Sequence, residues 1–92
     1  MAMELAPRNS SAYAKLGLIY QQQGDHSRAE KAYLHALSLN ARDNEARISL
    51  ARLYQADRQF TEAVAVLEEV LQNEPGNVEA IVELRKLKEG RA

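Results

Sequence analysis

The chain of 92 residues contains no cysteine, and that absence removes disulfides, thiolate nucleophiles and the common zinc-finger ligands together. It leaves the redox compartment open. Neither sign of charge is in excess, with 12 basic against 13 acidic side chains, so nothing draws the chain toward nucleic acid or an anionic lipid surface. No apolar run approaches the roughly 18–20 residues that a membrane-spanning helix requires, so no membrane insertion is expected. The start, MAMELAPRN, lacks a basic region followed by an apolar one, so it does not read as a signal peptide. Proline occurs twice and glycine four times, which leaves long stretches free of helix breakers. A chain of this length is one domain at most and buries only about 60–65% of its unfolded surface, which argues against a large enclosed active site.

What the chain does have is an abundance of Ala, Leu, Glu, Gln, Arg and Lys, the strong helix formers. Apolar residues recur at spacings of three and four, as in Tyr13, Leu16, Ile19 and Tyr20 and again in Ala63, Val66, Leu67, Val70 and Leu71. Strand-like alternation is missing, and the expected class is all-α.

One polar stretch invites a chemical reading. Residues 20–37, YQQQGDHSRAEKAYLHAL, place a histidine among glutamines, an aspartate and a serine. Sliding the sequence against itself by 34 residues sets this stretch on YQADRQFTEAVAVLEEVL, residues 54–71. Tyr20 then meets Tyr54, Ala29 meets Ala63 and Leu37 meets Leu71. The same shift pairs Ala12 with Ala46 and Ala80, Leu16 with Leu50 and Leu84, and Asn9 with Asp43 and Asn77. His26 falls on Phe60, a plain hydrophobic ring, so packing is the favoured role for this histidine. Gly24 ends a helix and Asp25 is placed to cap the next one, which accounts for the polar run as a turn between helices.

A period of 34 residues with these occupants resembles the tetratricopeptide repeat family, whose unit is a helix, a turn and an antiparallel helix. Tyr13, Leu16, Gly17, Tyr20, Ala29, Tyr33 and Ala36 match the family pattern in the first repeat, with Ala41 in place of its terminal proline. The second repeat keeps Leu50, Ala51, Tyr54, Ala63 and Pro75 but carries Arg47 and Leu67 in the aromatic slots and Val70 in a small-residue slot. Small residues at Gly17 and Ala51, with Ala29 and Ala63 opposite, let the two helices of a hairpin approach closely. Asn9, Asp43 and Asn77 are expected to cap the first helices, and Glu45 and Glu79 to favour their positive ends.

The resemblance implies antiparallel helix hairpins stacked as a short right-handed α-solenoid, about two repeats plus a C-terminal capping helix. Residues 1–7, with Pro7 in the register of Pro75, read as a remnant of a preceding repeat. Residues 10–43 and 44–77 then form the repeats and 78–89 the cap, so the chain is expected to be the C-terminal part of a longer array. In the capping segment Ala80, Ile81 and Leu84 are expected to face the previous hairpin. Arg85 and Lys88 replace the family's glycine and tyrosine there, as suits a solvent-facing end.

The family's members are interaction scaffolds that usually bind peptides on the concave surface formed by the first helices. Carried over in register, that surface comprises Lys15, Leu18, Gln22, Ile48, Ser49, Arg52, Gln55, Val82 and Lys86, of which Leu18, Ile48 and Val82 are apolar on a face that need not be buried; they either form a binding patch or simply pad the inner curve. A short apolar patch ringed by polar and cationic side chains suits a peptide or helix with apolar anchors. One subgroup of the family grips chaperone carboxylate tails with a clamp of lysines, asparagines and an arginine. The slots of that clamp hold Ala14, Leu18, Ser49, Glu79 and Glu83 here, which argues against such tails.

No enzyme chemistry is expected. His26 and His35 match no metal spacing, Ser10 and Ser11 stand at a helix start, and no cofactor is implied. The expected partner is a protein or peptide. The alternative reading is self-association, as a homodimer through the exposed first hairpin, with Tyr13, Ile19 and Leu5 at the contact.

Overall fold

The computed structural model describes residues 9–90. Within them five α-helices follow one another: α1 Ser10–Gln22, α2 His26–Leu39, α3 Asn44–Ala56, α4 Phe60–Asn73 and α5 Val78–Gly90. α1 packs along α2 and α3 along α4 as two hairpins; α3 also rests on α1 and α2, and α5 closes against α4. This is the all-α hairpin stack that the repeat implied. The expected contact residue Leu5 and the segment 1–7 lie outside the described residues.

Each first helix begins on a side-chain cap. Asn9 accepts from the amide of Ala12 at 3.1 Å, Asp43 from Ala46 at 3.0 Å and Asn77 from Ala80 at 2.9 Å. A cap of this kind stabilises a helix by about 1 kcal/mol. Asp25 caps α2 through the amide of Arg28 at 3.1 Å, whereas its counterpart Gln59 gives α4 no side-chain cap.

The first helices end alike. Past α1 the amide of Asp25 returns to the carbonyl of Tyr20 at 2.9 Å and that of Gly24 to Gln21 at 3.0 Å, with Gly24 at φ 81°. Past α3 the amides of Gln59 and Arg58 make the same two bonds, to Tyr54 at 2.8 Å and Gln55 at 3.0 Å. This paired bonding requires a left-handed residue after the helix. Glycine adopts that conformation without strain, but in the second repeat it is forced on Arg58, at φ 62°.

The core runs along the seams between helices. Ala29, Ala32, Tyr33 and Ala36 form the buried stripe of α2, at the spacing of one helix face. Leu50, Leu53, Leu67 and Val70 fill the second hairpin. At the closest approach in the first hairpin the Tyr33 ring lies against the backbone of Gly17. A Cβ at that position would stand 2.7 Å from Tyr33 Cε1 and 2.8 Å from Cδ1. Gly17 is therefore small because of the Tyr33 ring, where the sequence had pointed to Ala29.

Both histidines make contacts that the repeat pattern does not specify. His26 is not packed as a hydrophobic ring; its Nδ1 lies 2.5 Å from Asp57 Oδ1 and joins the start of α2 to the end of α3. His35 is exposed, and its ring lies on Tyr13 with centroids 4.1 Å apart and planes tilted by 42°. The residues 34 positions further on, Arg47 and Glu69, sit with Nε and Oε1 3.8 Å apart. An aromatic contact in one hairpin is thus an ion pair in the other, which explains how the second repeat tolerates Arg47 in an aromatic slot.

The last helix also departs in one detail. Ala80 and Leu84 are buried against the second hairpin as expected, but Ile81 is 37% exposed and Leu87 takes the third buried position. The register of α5 places Leu87 three residues after Leu84 on the same stripe, and Ile81 lies at its edge beside Arg85 and Lys88.

Candidate functional site

The starts of α3 and α5 lie on one side of the stack, and a groove of about 490 Å³ opens between them and α1. Its wall on α1 is Leu18, its floor on α3 is Ile48 and Ser49, and Arg52, Glu45 and Asn44 follow along α3. Glu74, Asn77 and Glu79 supply the opposite wall. The groove continues past Asn44, Glu45 and Glu74 into a more polar recess that adds Ser10, Ser11, Asn40, Arg42 and Asp43.

Of the nine residues expected on the concave surface, the groove gathers Leu18, Ile48, Ser49 and Arg52. Lys15 and Gln22 are exposed on α1, and Val82 and Lys86 on α5, outside the groove lining. Gln55 is half-buried and donates from Nε2 to Glu83 Oε1 at 3.4 Å. One expectation is corrected: Ile48 is not a free apolar side chain but is 5% exposed within the core cluster. It sits one turn from Arg52, where α3 leans on α1, so burial in the stack claims it. Leu18 at 46% and Val82 at 40% exposure are the apolar side chains that remain available.

The electrostatics are set by carboxylates. Arg52 Nη2 lies 3.0 Å from Glu79 Oε2 and 3.9 Å from Glu83 Oε2, so its charge is shared between two partners on α5. Glu74 accepts from Asn44 Nδ2 at 2.6 Å and Asn77 Nδ2 at 3.1 Å. Those two amides hold its carboxyl below the usual carboxylate range. Asn73 Nδ2 donates in turn to Asn44 Oδ1 at 3.2 Å, which fixes the amide orientation.

Beneath the groove two tyrosines tie the helices together. Tyr33 donates to Gln21 Oε1 at 2.9 Å; burial raises its pKa, and a hydrogen bond with Ser49 offsets part of the rise. Tyr54 donates to Glu30 Oε2 at 2.8 Å. Burial, reinforced by the Glu30 hydrogen bond and charge and by the charge of Glu62, pushes its phenol up to about 12.

The nine residues expected on the concave surface did not include Asn44, Glu45, Glu74, Asn77 or Glu79, which also line the groove. The 34-residue register could have paired Asn44 with Val78 and flagged a polar substitution, but Glu74 arrives from an inter-helix turn whose path the repeat pattern does not specify. Among the described residues no three His, Asp or Glu side chains converge on a metal-sized site, and no helix is long and apolar enough to cross a membrane.

The chain resembles known proteins in sequence and structure. It is 30% identical over 73 residues to the cellulose synthase operon protein C of Pseudomonas fluorescens (strain SBW25), a match that takes in 79% of this chain and 6% of that protein. The chain therefore spans a small fraction of that relative's length. Among solved structures it resembles TTC0263 of Thermus thermophilus, a thermophilic repeat protein, with a TM-score of 0.90 at 27% identity over 96% of this chain and 45% of that one. It also resembles the first repeat domain of Spaghetti (RPAP3) bound to the HSP90 peptide SRMEEVD, with a TM-score of 0.87 at 28% identity over 97% of this chain and 72% of that one. The second repeat domain of human RPAP3, in complex with the HSP70 peptide SGPTIEEVD, gives 0.83 at 27% identity over 94% and 72%. Residues 10–43 and 44–84 each match a tetratricopeptide repeat model, and the chain belongs to the tetratricopeptide repeat family.

Proposed function

We propose that this chain is a non-catalytic protein-interaction scaffold that holds a peptide or helical segment in the groove between α1, α3 and α5. The observation that carries the reading is the pairing of an exposed apolar wall, Leu18, with an ordered polar wall built from Asn44, Glu74 and Asn77. A peptide needs both, apolar surface for affinity and fixed polar groups for register. Two structurally similar domains are seen with peptides bound, which supports the same use of the fold here. The histidines are already engaged, His26 by Asp57 and His35 by Tyr13, which supports a non-catalytic role.

The test is selection from a random 12-residue peptide library against the full chain, followed by binding of the selected peptides to a Leu18→Arg variant. Leu18 is exposed, so the variant keeps its fold, checked by circular dichroism. The expected result is peptides that bind the parent chain and lose at least tenfold in affinity with the variant. Undiminished binding would refute the groove.

The self-association reading has an apolar surface of its own, a shallow groove on the first hairpin lined by Tyr13, Leu16, Tyr20 and Ala32. Its rim carries Arg28 and Lys31, and a two-fold contact would bring those cations together. We therefore favour the peptide-binding reading; a mass by light scattering that doubles with concentration would reverse that preference.

A further inference from the structure

The groove between α1, α3 and α5 has more negative than positive lining charge, and what neutralises each charge differs. Arg52 is the one cation among its lining residues, and Glu79 and Glu83 already flank it. Glu45 and Glu74 line the same groove on either side of Asn44. Neither has a cationic partner among the described residues: Glu74 is bonded only by neutral amides, and Glu45 is exposed. Leu18 provides an apolar wall to the same groove, with the edge of Ile48 in its floor. Two unpartnered carboxylates next to an apolar surface are complementary to a segment in which a lysine or arginine stands beside an apolar side chain.

From this we propose that the groove selects a basic peptide, with a cation seated between Glu45 and Glu74 and an apolar side chain on Leu18. The proposal rests on the groove being the binding site. It excludes peptides that end in a cluster of carboxylates, because Glu45, Glu74 and Glu79 would oppose them and Arg52 has no charge to spare. Asp43 and Arg42, further along in the polar recess, offset one another and leave that balance unchanged. Hydrogen bonds from the Asn44 and Asn77 side-chain amides hold the Glu74 carboxyl below the usual carboxylate range, which favours its charged form in the groove.

Sequencing the library peptides that bind the groove tests the charge, and a double variant, Glu45→Gln and Glu74→Gln, tests its origin. Glutamine at position 74 retains an oxygen for Asn44 and Asn77, so the turn keeps its hydrogen bonds; matching thermal midpoints confirm this. The expected result is enrichment of Lys and Arg over Asp and Glu among binders lost with Leu18→Arg. Their affinity should fall about fivefold to tenfold in the double variant, as expected for two solvent-facing charge contacts. Groove binders that are neutral or acidic, or basic ones indifferent to the double variant, would overturn the charge assignment and leave the groove intact. Binders insensitive to Leu18→Arg would overturn the groove itself, and this proposal with it.

Discussion

Replacing Gly17 with alanine probes the closest contact in the fold and has a compensating partner built into the sequence. The new Cβ would lie 2.7, 2.8 and 3.0 Å from three atoms of the Tyr33 ring. That ring is fully buried and its hydroxyl is held by Gln21, so it has no free direction in which to swing. Overpacking of this kind costs about 1–3 kcal/mol. Alanine in mid-helix returns about 1 kcal/mol relative to glycine, so Gly17→Ala alone should destabilise by up to about 2 kcal/mol. In the second repeat the corresponding residues are Ala51 and Leu67, both fully buried without a clash. Tyr33→Leu should therefore cost about 2–3 kcal/mol alone through the smaller side chain. In the Tyr33→Leu background, however, Gly17→Ala should be neutral or stabilise by about 1 kcal/mol. Urea unfolding followed at 222 nm gives the four stabilities of the cycle. The expected coupling is about 1–3 kcal/mol. The reasoning is refuted if Gly17→Ala has the same effect with and without Tyr33.

Arg58→Gly should stabilise the chain by about 0.5–1 kcal/mol, because it relieves the left-handed φ of 62°; an unchanged or lower thermal midpoint would contradict that. Arg47→Tyr combined with Glu69→His transplants the Tyr13–His35 contact into the second hairpin and removes Arg47 Nε, a buried donor with no hydrogen-bond partner. The double variant should be at least as stable as the parent in denaturant, with an aromatic contact contributing about 0.5–1.5 kcal/mol. Alkaline titration should weaken the fold between pH 10 and about 12. Across that window folded Tyr54 retains the proton that the unfolded chain has given up, so stability falls as pH rises. Tyr54→Phe should be less stable at pH 7, through loss of the bond to Glu30, yet show a shallower decline across the window. Equal declines in the two proteins would show that Tyr54 is not the group responsible.

Much of this was legible from the sequence because a repeat constrains itself. The 34-residue shift located the caps Asn9, Asp43 and Asn77 and the small residues of the hairpin seams, and capping chemistry located the turn residues Gly24 and Asp25, each confirmed by its hydrogen bond, backbone or burial. Slot-by-slot comparison failed where two slots change together. Tyr13 with His35 and Arg47 with Glu69 occupy one location with different chemistry; viewed alone, Tyr13 matched the family pattern and Arg47 departed from it, and neither pointed to its partner. His26 was misjudged for a related reason: its partner Asp57 comes from the turn of the next repeat, and the counterpart Phe60 has no bearing on that contact. The groove was half legible. Leu18, Ser49 and Arg52 follow from register, but Glu74 enters from a turn, and Ile48 is claimed by the core because α3 leans toward α1. Periodicity gives the face of a helix, and how deeply that face is covered depends on the neighbouring hairpin.

The central claim is that the groove between α1, α3 and α5 is where a partner binds. The most direct measurement is a ¹⁵N–¹H correlation spectrum of the full chain titrated with a library-selected peptide. Binding in the groove should concentrate the amide shifts at Leu18, Ser49, Arg52 and Glu79. Shifts centred on Tyr13, Lys31 and His35 instead would place the partner on the outer face of the first hairpin and contradict it.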